Sequence, residues 1–202
     1  MKNRPTHALL ILFCGMLTGC GAARPSKCYQ LTVPAASTSV TVAPYRVTLL
    51  VGPITASHLF RDDQIVYRST GQAVGTYEYH RWAEPPPEMI EDILLQELRA
   101  SGRFQHVYAE SSDVRGRYLL RGRLYDFSEV DASQLAARVA FHFELFDVQA
   151  GTTVWSRSYS HDERVHRKDV AALAAAIDRN VQSGLGEIIK GLDQYFSTAA
   201  SR

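Results

Sequence analysis

Arg138-Val139-Ala140-Phe141-His142-Phe143-Glu144-Leu145 alternates, side chain by side chain, between polar or small and apolar residues. A period of two puts Val139, Phe141, Phe143 and Leu145 on one face of a strand and Arg138, Ala140, His142 and Glu144 on the other. One face is therefore covered and the other meets water, the habit of an antiparallel sheet. The strand-like segment runs from Leu135 to Val148. Gln149-Ala150-Gly151 supplies a hairpin turn, and Thr152 to Glu163 returns as the partner strand.

Upstream, Phe104–Tyr108 and Arg117–Phe127 are also strand-like, with few helical signals around them. Earlier still, Tyr45 to Val51 is β-branched and apolar, which predicts a buried strand ended by Gly52-Pro53. Gln64-Ile65-Val66-Tyr67-Arg68 makes a short strand, Ser69-Thr70-Gly71 turns the chain, and Val74 to Trp82 returns with Tyr77, Tyr79 and Trp82. Aromatic and β-branched side chains facing each other across a hairpin stabilise it.

Two helices complete the pattern. Glu84-Pro85-Pro86-Pro87 prepares the first, because proline is favoured where a helix has no use for the N–H. Ile90, Ile93, Leu94 and Leu98 then follow helical spacing, and Ser101-Gly102 stops it. The second covers Asp169 to Phe196, with Val170, Leu173, Ile177, Val181, Leu185, Ile188 and Leu192 in one stripe. Gly184, Gly186 and Gly191 each weaken it by up to ~1 kcal/mol relative to alanine, which predicts a kink or a close packing contact. The expected fold is α+β: a single mixed, largely antiparallel sheet packed against two amphipathic helices.

The N-terminus has a different character. Lys2 and Arg4 precede an apolar run from Ala8 to Leu17, the layout of a secretory signal and far shorter than the ~20 residues of a membrane-spanning helix. Leu17-Thr18-Gly19-Cys20 resembles the lipobox of bacterial lipoprotein precursors, which implies cleavage before Cys20 and acylation of its thiol. An ordinary signal cleaved near Gly15, Gly19 or Ala22 is the alternative. Gly21 is not the aspartate that retains many lipoproteins in the inner membrane, so the resemblance favours the outer membrane, with the protein facing the periplasm. The expected organisation is a signal peptide over residues 1–19, an acylated N-terminus and flexible tether over 20–44, and a domain over 45–198. Within the tether, Tyr29-Gln30-Leu31-Thr32-Val33 is apolar enough to add an edge strand before Pro34.

Cleavage before Cys20 leaves 183 of the 202 residues, enough for one domain that needs no disulfide or metal staple. The formal charge of +1 includes Lys2 and Arg4 against no acids in residues 1–19, so the mature chain stands at −1. That balance argues against a general electrostatic grip on nucleic acid. Cys14 leaves with the signal and Cys20 becomes a thioether, so Cys28 has no partner in its own chain.

There is no phosphate loop, dinucleotide fingerprint, His-Glu-x-x-His or Gly-x-Ser-x-Gly motif. No catalytic residue, metal or cofactor is expected. His161-Asp162-Glu163 with His166 carries ligand chemistry, but Arg164 and Arg167 lie among them and a solvated charged turn accounts for the cluster. Arg115, Arg117, Arg121 and Arg123 form either a basic patch for phospholipid headgroups or an acidic partner, or a solvated face paired with Glu144, Glu129 or Asp131. Tyr77, Tyr79, Arg81 and Trp82 are candidate partner-binding residues, since aromatics and arginine are enriched at interfaces, or else core aromatics.

Gln64-Ile65-Val66-Tyr67-Arg68 followed by Tyr77-Glu78-Tyr79-His80-Arg81-Trp82-Ala83-Glu84-Pro85-Pro86 resembles the ABC-type transport auxiliary lipoproteins, among them the lipoprotein of the paraquat-inducible Pqi system. The lipobox at Cys20, Val51-x-Pro53 and Asp147-x-x-x-Gly151 before Trp155 support the resemblance. It implies a non-enzymatic lipoprotein that serves phospholipid transport beside a permease, an ATPase and an MCE-domain protein. Cys20 is the residue it assigns, as the lipidation site, and a homo-oligomer is a further partner it allows. A lipidated assembly factor or pilotin for another outer-membrane machine, and a periplasmic hydrolase, are the competing functions.

Overall fold

The computed structural model describes residues 25–34, 44–69, 73–131 and 134–200. Its elements are β1 (Lys27–Tyr29), β2 (Tyr45–Ala56), a 3-10 turn (His58–Phe60), β3 (Gln64–Arg68), β4 (Val74–Trp82), α1 (Pro86–Ala100), β5 (Phe104–Ala109), β6 (Tyr118–Asp131), β7 (Leu135–Asp147), β8 (Thr152–Arg164) and α2 (Val170–Ala200). The signal segment, Cys20, residues 35–43 of the expected tether and the Thr70-Gly71 turn lie outside the described residues.

All eight strands join one sheet. Its spine is β6, which pairs antiparallel with β7 along its whole length, while β7 pairs antiparallel with β8. On its other side β6 takes two parallel neighbours in succession, β2 beside Leu49–Ala56 and β3 beside Val66–Arg68. From β2 the sheet continues to β5, also parallel, and from β3 to antiparallel β4 and then parallel β1. The sheet is mixed, with its longest ladders antiparallel. The fold is α+β, as the sequence predicts.

The helices supply the cover that β7 requires. Val139, Phe141, Phe143 and Leu145 are fully buried and belong to one core cluster with Leu173, Ile177, Val181, Leu185, Ile188 and Leu192 of α2. Full burial of each such side chain contributes roughly 1.5–3 kcal/mol, which is why the helix lies along the sheet. Ile90, Ile93, Leu94 and Leu98 bring α1 into the same core. Helix α2 runs as one continuous helix over Val170–Ala200. Close packing is what Gly184 serves: a Cβ there would stand 2.5 Å from the Phe141 ring and 2.7 Å from the Tyr159 ring. The buried polar group of this layer is Asn180. Its amide donates to the carbonyls of Ala137 (2.8 Å) and His161 (2.9 Å), and its Oδ1 accepts the Tyr159 hydroxyl (2.7 Å).

Strand β2 departs from expectation. It does not end at Gly52-Pro53 but continues to Ala56, with a register shift against β6 between Val51 and Ile54. A bulge is where a strand tolerates proline, because the missing ladder N–H falls out of register. The Ile54 amide beyond it donates to Glu91 of α1 at 3.4 Å. The segment assigned to the tether also enters the fold: β1 pairs with β4, Leu31 is buried, and the Thr32 amide donates to Asp178 of α2 at 2.9 Å.

The β7–β8 turn follows from Asp147. Its Oδ1 accepts the amides of Gln149 (2.9 Å) and Ala150 (3.1 Å), and Gly151 takes the positive φ of 66° that closes the hairpin.

Candidate functional site

The aromatic run of β4 divides between core and rim. Trp82 is 1% exposed, packs edge-on to Phe127 at 5.1 Å and has no partner for its indole N–H among the described residues. It is a core side chain and presents no surface. Tyr77 is half-buried and donates its hydroxyl to Glu129 at 2.9 Å; burial, then this carboxylate, pushes the phenol well above its ordinary range. Arg81 pairs with Asp63 at 3.3 Å, and Tyr79 is 37% exposed. The Ala83 amide closes on the Tyr29 carbonyl at 2.7 Å, and Pro86 and Pro87 open α1. Much of this run thus joins β1, β4 and α1.

The arginines divide as well. Arg117, just before β6, forks onto Asp147 at 2.9 and 3.0 Å and holds that carboxyl below its ordinary value. Glu129 is engaged by Tyr77, so neither it nor Glu144 takes the part expected of it as an arginine partner. His161 stands 3.8 Å from Glu163, which also receives Arg179, while Asp162 is forked by Arg138. Among the described residues no group of three or more His, Cys, Asp or Glu side chains could hold a metal ion.

Arg121 and Arg123, like the exposed Arg115, have no ion-pair partner among the described residues. They project from the face of β6 that no helix covers, with Gly122 turned inward between them against Phe143 and Ile54. The Arg121 guanidinium lies 4.6 Å above the Phe146 ring and that of Arg123 lies 5.6 Å from the Tyr125 ring. Across the ladder stand Glu144 opposite Arg121 and His142 opposite Arg123, yet Glu144 accepts His142 Nε2 at 3.3 Å instead. The bulge at Tyr125 leaves that ring 55% exposed. On the far side β2 contributes Gly52, whose missing side chain leaves room for the Glu110 carboxylate; a Cβ there would be 2.8 Å from Glu110 Oε2. These residues enclose an open cleft of about 350 Å³ between β2, β6 and β7. Sequence reasoning singled out the arginines but not Glu110 or Gly52, which a register read across three strands alone brings near.

The family model of the ABC-type transport auxiliary lipoprotein component matches residues 29–188. The chain belongs to that family. The crystal structure of a Xanthomonas campestris protein of the DUF330 family is similar at a TM-score of 0.76, with 24% identity over 87% of this chain and 99% of that one. The crystal structure of an uncharacterized protein is similar at a TM-score of 0.65, with 13% identity over 84% of this chain and 99% of that one. Both likenesses are of fold. No curated protein matches the sequence.

The matched region begins in β1 and ends within α2, so it takes in the cleft, Trp82 and the Asp147 turn, and leaves Cys20 before it. The family is one of transport auxiliary lipoproteins, which supports attachment to a membrane. Among the described residues no helix is long and apolar enough to cross one.

Proposed function

We propose that this chain is anchored through acylated Cys20 in the outer membrane, faces the periplasm, and serves as the auxiliary component of an MCE/ABC-type phospholipid transport system. Family membership across residues 29–188 carries the reading, and the lipobox supports it. The fold adds a distance. Six residues separate Cys20 from β1, seven Cα-to-Cα steps in all. At full extension they span no more than ~25 Å, so the sheet stays close to the bilayer rather than roaming on a long leash.

The test is an affinity pull-down of the full-length chain from mild-detergent envelopes, with mass spectrometry of the N-terminal peptide and of what co-purifies. An acylated Cys20 with an MCE-domain protein and its permease is the expected result. Secretin or pilus subunits in their place would assign the chain to the assembly-factor class. An unmodified N-terminus with no partners would overturn both readings.

A further inference from the structure

We infer that the cleft between β2, β6 and β7 binds a phosphate ester that carries an ammonium group, as a phosphoethanolamine headgroup does. The transport reading enters only in choosing the source, a bilayer lipid over the free ester.

The cleft holds two arginines and two carboxylates, and the opposite charges do not pair. Among the described residues Arg121, Arg123 and Glu110 have no ion-pair partner, and Glu144 is engaged only by His142. Charges that share a cleft without closing on each other leave a positive and a negative pole, which suits a zwitterion better than a simple anion. On the positive pole, Arg121 and Arg123 are two positions apart on one strand face, about 6–7 Å along the chain. The Arg121 guanidinium lies over Phe146 and that of Arg123 over Tyr125, and among the described residues no acceptor takes the N–H groups of either, so they are free to donate. A carboxylate holds its two oxygens in one plane, whereas the two non-bridging oxygens of a phosphate diester are set tetrahedrally and can each accept from a different guanidinium. On the negative pole, Glu110 is seated over Gly52 and Glu144 stands opposite Arg121, where either can accept from an ammonium. Tyr125 stands exposed at the lip. A ring with a polar tip, beside arginines with apolar stems, fits the boundary between lipid headgroups and water.

The experiment titrates the full-length chain in an uncharged maltoside detergent with dihexanoyl phosphatidylethanolamine below its micelle concentration. Parallel titrations use dihexanoyl phosphatidylglycerol, glycerophosphoethanolamine and inorganic phosphate. Saturable binding of the phosphatidylethanolamine is expected, weakened at least tenfold in Arg121→Gln/Arg123→Gln. Glu110→Gln should weaken the phosphatidylethanolamine and leave the phosphatidylglycerol unchanged, a split that general misfolding would not produce. Absence of saturable binding, or equal binding by the double variant with an unchanged melting temperature, overturns the site. Phosphatidylglycerol or inorganic phosphate binding as tightly overturns the zwitterion, and glycerophosphoethanolamine binding as tightly overturns the bilayer source. The transport reading is judged separately, by what co-purifies with the unaltered chain.

Discussion

Two glycines of α2 separate helix propensity from packing. Gly184 is buried, and a Cβ there would press into the Phe141 and Tyr159 rings at 2.5–2.7 Å. Gly186 is exposed, and a Cβ there meets nothing within 4 Å. Alanine at either position gains about 1 kcal/mol of helix propensity. At Gly186 nothing opposes that gain, so Gly186→Ala should raise the melting temperature by about 2–4 °C for a chain of this size. At Gly184 the added methyl must displace two buried rings, an overpacking cost of roughly 1–3 kcal/mol. The propensity gain is common to both variants, so their difference isolates the packing cost. Gly184→Ala should therefore melt below Gly186→Ala by roughly 2–12 °C. Thermal unfolding of the purified variants, followed by far-ultraviolet circular dichroism, reads both values. If Gly184→Ala melted at or above Gly186→Ala, the close seating of α2 on β7 and β8 would be wrong.

Asn180→Ala leaves the Ala137 and His161 carbonyls and the Tyr159 hydroxyl without their partner; a loss of about 1–3 kcal/mol in urea unfolding is expected. A loss no larger than that of Tyr159→Phe would show that the two carbonyl contacts carry nothing. Asp147 gives the pH dependence. Hydrogen bonds from Arg117, against the opposing effect of burial, hold its carboxyl below the ordinary aspartate value, so the folded state binds its proton less readily than the unfolded state. The resulting stability is present above about pH 4 and drains as pH falls through the folded value. Asp147→Asn should lower the urea midpoint at neutral pH and converge on the unaltered protein in acid, and a gap that stayed constant down the acid limb would refute the assignment.

The strands from Phe104 to Arg164 were legible because their signal is local. Alternation in β7 needs nothing beyond its own residues, and the Asp147–Gly151 turn is written in consecutive positions. What was not legible depended on partners far away in sequence. Gly52-Pro53 reads as a stop, and it is a bulge only because Glu91 of α1 meets the Ile54 amide and β6 accepts the shifted register. Trp82 reads as an anchor for a partner or, as strand aromatics more often are, as core, and Phe127, forty-five residues on, decides for core. The parallel placement of β2 and β3 along one side of β6 has no sequence mark, and it is this placement that brings Glu110 and Gly52 to the arginines of β6.

The same topology argues for where a ligand or partner meets the domain. The edge strands offer poor templates for strand addition: β1 has three residues, β5 has six, and the long edge β8 ends in His161, Asp162, Glu163 and Arg164. Both helices are committed to the inner face through one shared core. On the outer face, Leu50 and Leu119 are buried but stand apart from that core, and Gly116 from the β5–β6 loop closes on Leu50. That cover stops short of Arg121 and Arg123, where the strand surface reopens as the cleft. Recognition by side chains on this uncovered stretch of β6 and β7, rather than by the sheet edges, is what the arrangement of charge and cover supports.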